Sequence, residues 1–169
     1  MPNRPPRLPG FKYLGSNRYF LTVCARSRAR VFVDPGVGER VAQQFLRTAD
    51  DHGFDVVAYC VMPDHFHALV AGTEGQAAFT RFVRMWKQVT GYWWKRQGHA
   101  MALWQEGYYE TILRDDDPTA GVVRYIVGNP LRAGLVRDIH DYRLIGSSGF
   151  DIDALVASAI DWGPRRRRV

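Results

Sequence analysis

An α+β sandwich built on a mainly antiparallel sheet is the fold class this sequence predicts, and three observations predict it. Segments rich in aromatic and β-branched residues alternate with helical patterns in the order β-α-β-β-α-β-α. Two of the extended segments are separated only by Pro63-Asp64, the mark of a hairpin and so of antiparallel neighbours. The 46% hydrophobic and 13% aromatic content over 169 residues suits one domain with one good core rather than a disordered chain.

Each element has its own local reason. Residues 1–16 are Pro-rich and basic and read as an irregular arm. Arg18 to Ala25 is rich in aromatic and β-branched residues and reads as a first strand. Pro35 and Gly36 punctuate, after which Val37, Val41, Phe45 and Ala49 recur at helical spacing as far as Asp51, and Gly53 stops the helix. Phe54 to Met62 is a second strand and His65 to Ala71 a third. From Ala77 to Gln97 an amphipathic helix gathers Phe79, Phe82, Val83, Trp86, Val89, Trp93 and Trp94, opposite Arg81, Arg84, Lys87, Lys95 and Arg96. The three tryptophans suit the core better than a base-stacking platform at that spacing. Tyr109 to Arg114 is a fourth strand. Asp117 or Thr119 caps a helix from about Ala120 to Gly128, which stops near Asn129-Pro130 because a residue before proline disfavours the α region. A turn over 131–135, a less regular region and a terminal run of four arginines follow.

Charge and cysteines narrow the classes. The net charge is +6 with a sequence pI near 9.6, carried mostly by arginine, which favours a polyanionic partner such as nucleic acid. Cys24 and Cys60 lie in separate segments without Cys-x-x-Cys spacing, so a disulfide framework or zinc knuckle is not expected. No apolar leader and no bilayer-length run is present, and the expectation is a soluble, cytoplasmic protein without a membrane partner.

Chemistry concentrates in Tyr59-Cys-Val-Met-Pro-Asp-His-Phe-His-Ala-Leu-Val70. Side chains alternate along a strand, so His65 and His67 share one face while Phe66 points into the core. Paired neutral imidazoles suit a divalent cation. Tyr125 and Asn129, four residues apart, share a helix face. A tyrosine beside a metal-bound phosphate can attack phosphorus, and the Asn129 carbonyl can complete a three-ligand set suited to Mg²⁺ or Mn²⁺. Spacing alone leaves the plainer readings open: unrelated strand histidines, a packed helix tyrosine and a helix-terminal asparagine.

Cys60-Val-Met-Pro-Asp-His-Phe-His67 resembles the His-hydrophobic-His signature of the single-tyrosine HUH transposases. Leu103-Trp-Gln-Glu-Gly-Tyr-Tyr-Glu110 and Tyr125-Ile-Val-Gly-Asn-Pro-Leu-Arg-Ala-Gly-Leu-Val136 resemble the branch called REP-associated tyrosine transposases. The likeness spans about Arg18 to Ser148, with three separated motifs in one order. It implies an HUH-type, ferredoxin-like sandwich over 17–148, with the basic arm before it and a C-terminal region, 149–169, after it. It further implies that His65, His67 and Asn129 bind Mg²⁺ or Mn²⁺, and that Tyr125 is the nucleophile. The reaction implied is nicking and joining of single-stranded DNA at REP-like palindromic hairpins through a 5′-phosphotyrosine link, by a monomer or homodimer associated with the nucleoid. Asp64 stands where relatives often carry asparagine, adding a negative charge beside the metal.

Tyr108 and Tyr109 are alternative nucleophiles, better suited to packing or DNA stacking. Arg84, Lys87, Lys95 and Arg96 are candidate phosphate contacts, and Arg26, Arg28 and Arg30 form a basic loop. His52, His99 and His140 lack partners at ligand spacing. Two other readings remain: a hairpin-DNA-binding protein that keeps the fold without catalysis, and a phosphodiesterase in which water attacks.

Overall fold

A computed structural model of the chain describes residues 16–73, 75, 77–114, 117, 119–151, 153–155 and 157. The predicted arm before Ser16 and the arginine tail lie outside the described residues, as does Pro118 at the predicted helix start. The elements are β1 (Arg18–Cys24), α1 (Pro35–Asp51), β2 (Phe54–Met62), β3 (His65–Gly72), α2 (Phe79–Arg96), β4 (Tyr109–Leu113), α3 (Thr119–Val127), α4 (Asn129–Arg132) and β5 (Ile145–Gly146). They form the predicted α+β architecture: one five-stranded sheet in the order β4-β1-β3-β2-β5, with every neighbouring pair antiparallel. The first six regular elements follow the βαββαβ ferredoxin-like pattern, with β1 and β3 central.

The alternation of side chains divides the core into two layers. On one face Tyr19, Leu21 and Val23 of β1 and Phe66, Ala68 and Val70 of β3 meet α1 and α2. Phe45, Phe66 and Trp86 pack there with ring centroids 4.6 to 4.9 Å apart. Trp86 is fully buried, Trp94 nearly so, and their indole N–H groups donate to the carbonyls of Val41 and Met101. The helix tryptophans therefore belong to packing, as their spacing suggests. On the opposite face Ala58, Cys60, Met62 and Leu69 meet Val123, Ile126 and Val127 of α3. That second face carries the histidines.

Several boundaries differ from expectation for local reasons. α1 begins at Pro35 rather than Val37, because Asp34 accepts from the Gly36 N–H at 2.9 Å and proline tolerates the first helical position. Gly53, at φ +71°, ends the connection as expected. Asp117 does not cap α3; its carboxylate takes the Arg114 N–H at 2.6 Å, and Thr119 is the first helical residue. The chain does not leave helical geometry at Asn129-Pro130. α3 stops at Val127, Gly128 stays in the αR region, and α4 restarts with Asn129, since Pro130 in a first turn has no N–H to lose. β5 was not foreseen, being two residues that acquire strand geometry only by pairing with Tyr59 and Cys60.

Candidate functional site

The β2–β3 hairpin sets the histidines at the start of a central strand. Their cross-strand partners are Cys24 and Met62 for His65, and Thr22 and Cys60 for His67. Period-2 alternation aims both imidazoles away from the Phe66 layer, and their Nε2 atoms stand 3.0 Å apart. Each opposite nitrogen has its own partner. Nδ1 of His65 lies 2.6 Å from Asp64 Oδ1, and Nδ1 of His67 lies 2.8 Å from Thr22 Oγ1. His67 is buried, and burial, followed by His65, Arg132 and Arg28, pushes its pKa down to about 3 against the pull of Asp64. A neutral imidazole is the ligand form.

Tyr125 reaches this pair from α3. Its ring centroid lies 5.8 Å from that of His67 and 5.8 Å from that of Phe20, and Phe20 also stacks on His67 at 5.5 Å. Tyr125 is about half exposed. Arg132 sits 4.5 Å over the same ring and donates to the Tyr125 carbonyl. Sequence reasoning missed this arginine, although it lies within the quoted motif, because a residue seven positions on rarely shares a helix contact unless the helix breaks and restarts between.

Asn129 opens α4, which packs against β2, and its side-chain nitrogen is buried without a hydrogen-bond partner. A buried amide left unpaired costs free energy unless something else engages it. That nitrogen is a donor and does not engage a cation, so a ligand role for Asn129 would fall to its side-chain oxygen; the two facing Nε2 atoms are the pair suited to a divalent cation. Cys60 and Cys24 flank the histidines in register, but burial holds the Cys60 thiol well above its ordinary pKa, so it is not a ready thiolate. Among the described residues no group of three or more His, Cys, Asp or Glu side chains could hold an ion.

The Asp64 carboxylate engages Nδ1 of His65 and, at 3.3 Å, Nε of Arg28, so its negative charge lies beside the histidine pair on the side away from the Nε2 atoms.

The other candidates divide. Tyr108 packs against Phe79 in the first layer. Tyr109 is paired with Thr22, so it shares the histidine face one strand beyond β1. Arg84, Lys95 and Arg96 are exposed on α2, across the sheet from Tyr125. Arg84 lines a cleft with Arg81 and Tyr108, and Lys95 a neighbouring one of about 500 Å³. Lys87 is less available, since its ammonium donates to the Gln105 and Gly107 carbonyls at 2.8 and 2.7 Å. His52, His99 and His140 have local partners instead of ligand sets: the Thr48 carbonyl, the Trp94 ring and Asp138. Among the described residues no helix is long and apolar enough to cross a membrane.

Residues 15–129 match the family described as "Transposase IS200 like". A Haemophilus influenzae protein assigned to the REP-associated tyrosine transposases is 27% identical over 155 residues, covering 86% of each chain. The REP-associated tyrosine transposase of Escherichia coli is 25% identical over 133 residues, covering 77% of this chain and 76% of its own. The fold is similar to that of a REP-associated tyrosine transposase solved bound to a REP hairpin, with a TM-score of 0.67, 22% identity and 82% of both chains covered.

Proposed function

The chain belongs to the IS200-like transposase family, and from that premise we propose that it is a REP-associated tyrosine transposase that cleaves and rejoins single-stranded DNA beside short palindromic hairpins. The observation that carries the reading is the Tyr125 ring set against His67, whose Nε2 faces that of His65. His65, His67 and the Asn129 side-chain oxygen would hold one Mg²⁺ or Mn²⁺ ion. When bound, it supplies a Lewis acid that orients a phosphate oxygen and offsets charge at phosphorus.

The remaining work falls to the chain's own groups. The Tyr125 oxygen forms a bond to phosphorus as the bond from phosphorus to the 3′-oxygen breaks. The phenolic proton is released, the 3′-oxygen is protonated, and the 5′-phosphate stays on the tyrosine. The reverse attack by a 3′-hydroxyl rejoins a strand without an external energy source. Arg132, over the ring, fixes its orientation and carries positive charge to the nucleophile's side of the site. Arg84, Lys95 and Arg96 would meet phosphates of the same DNA on the α2 side. The solved relative bound to a REP hairpin supports hairpin DNA as the partner.

A covalent-trapping assay tests this. Protein is mixed with labelled single-stranded hairpin oligonucleotides from its genomic flanks and Mn²⁺, then run on a denaturing gel. The expected result is a metal-dependent, SDS-resistant adduct that is absent in Tyr125→Phe and retained in Tyr109→Phe. Cleavage without adduct would assign the attack to water, and tight binding without cleavage would leave a hairpin-binding module.

A further inference from the structure

We propose that Arg28 and Asp64 form an orienting device for His65, fixing which of its nitrogens carries the proton and where the other points. The proposal rests on the metal reading above and deepens it. A carboxylate only accepts hydrogen bonds, so the 2.6 Å contact between Asp64 Oδ1 and His65 Nδ1 places the proton on Nδ1. Nε2 is left with its lone pair, aimed at His67. The second carboxylate oxygen, Oδ2, is 3.3 Å from Arg28 Nε, and the same guanidinium donates from Nη1 to Cys24 Sγ at 3.0 Å. Cys24 is the cross-strand partner of His65. One arginine thus ties the carboxylate to the strand lying beside the histidine.

The backbone is bent to bring it there. Ser27 and Arg28, at φ 55° and 56°, are the only non-glycine residues with positive φ among the described residues. Consecutive left-handed residues with side chains persist only where their surroundings hold them, and such outliers gather at functional sites. Here the hold is visible on both sides. Ala25 N–H donates to the Asp64 carbonyl at 2.9 Å, and Phe32 N–H donates to the Pro63 carbonyl at 3.1 Å. The segment from Ala25 to Phe32 is therefore stitched to the hairpin turn at both ends, with Arg28 between. An ion pair with an exposed arginine and a half-buried carboxylate contributes modestly to stability, so the backbone strain beside it is better explained by what it orients. By engaging Oδ2, Arg28 also keeps Asp64 from swinging round to ligate the ion itself. Asp64 then acts as an outer partner that makes His65 a stronger donor. These are positioning residues, not groups that touch DNA.

Two readouts on the full chain test the proposal. One is the tautomer of His65 by ¹⁵N-imidazole NMR on metal-free protein; the other is Mn²⁺ affinity from the EPR signal of the free ion. Unaltered protein is expected to show His65 as the Nδ1–H tautomer. Asp64→Ala should turn it into a mixture and raise the Mn²⁺ Kd by roughly ten- to a hundredfold, the usual cost of losing an outer partner. Arg28→Gln, which leaves the hairpin turn intact, should raise the Kd less, and Arg28→Lys should recover part of that loss. An unchanged tautomer in Asp64→Ala, or an unchanged Kd in both Asp64→Ala and Arg28→Gln, overturns the proposal. Failure of the unaltered protein to bind Mn²⁺ overturns the metal reading instead, while the metal-free NMR still decides whether Asp64 sets the tautomer.

Discussion

The hydroxyl of Thr22 meets Nδ1 of His67 from a strand 45 residues away in sequence. Thr22→Val keeps the β-branched shape and removes only that partner. The expected outcome is Mn²⁺ binding weakened by roughly tenfold or more, as for other outer partners of ligating histidines. A Mn²⁺ titration checks the affinity, and urea unfolding should show a loss of about 1–3 kcal/mol for the buried nitrogen left unpaired. Phe66, between the two histidines but facing the other way, has a different role. It is fully buried against Phe45 and Trp86, so Phe66→Ala is expected to cost about 3–5 kcal/mol in the same urea experiment. That His65 and His67 share a face was legible in the sequence, because strand alternation is a local rule. Their partners were not. Thr22 depends on register between β1 and β3, and the imidazole nitrogen that the Asp64 charge engages depends on the geometry of the turn. The partners of Lys87 were hidden for a similar reason: a helix pattern shows that it faces outward, not that a returning loop places two carbonyls on its ammonium.

Among the elements, the passage from α3 to α4 governs the surroundings of Tyr125. A Cβ on Gly128 would lie 2.9 Å from the Arg124 carbonyl oxygen and 2.9 Å from Arg132 Nη1. The carbonyl belongs to the helix backbone and cannot yield freely. Gly128→Ala is therefore expected to destabilise the protein by about 1–3 kcal/mol and to lower the yield of covalent adduct, by moving Arg132 off the Tyr125 ring. Thermal melts and the trapping gel read the two effects. Gly91, within α2, is the contrasting case, with open space around its missing Cβ. Gly91→Ala should raise stability by about 0.5–1 kcal/mol through backbone entropy and leave trapping unchanged. At the start of α3, Arg18 donates to the Arg114 carbonyl and to the Thr119 hydroxyl, so β1 holds the approach to the tyrosine helix. The regular elements were readable from the sequence because apolar periodicity specifies them. What escaped was the restart after Gly128 and the strand at Ile145, both decided by contacts with the sheet rather than by local pattern.

For the molecule as a whole, charge and layer order set what is expected of DNA binding. Under the proposed function, the net charge of +6 and the exposed arginines on α2 are expected to give hairpin binding that weakens steeply with salt. Arg84→Gln should weaken binding to all hairpins alike and reduce the salt slope by about 1, checked by fluorescence anisotropy across a salt series. The two layers also separate duties, with α1 and α2 closing one face of the sheet while α3 and the histidines occupy the other. The contact of the Tyr125 ring with His67 within one polypeptide carries a consequence for genetics as well as chemistry. Under the proposed function each copy would carry a whole reaction centre, so two crippled copies would have nothing to lend each other. A mixture of His67→Ala and Tyr125→Phe proteins should form no adduct, and recovery of activity on mixing would mean that the tyrosine helix is exchanged between copies.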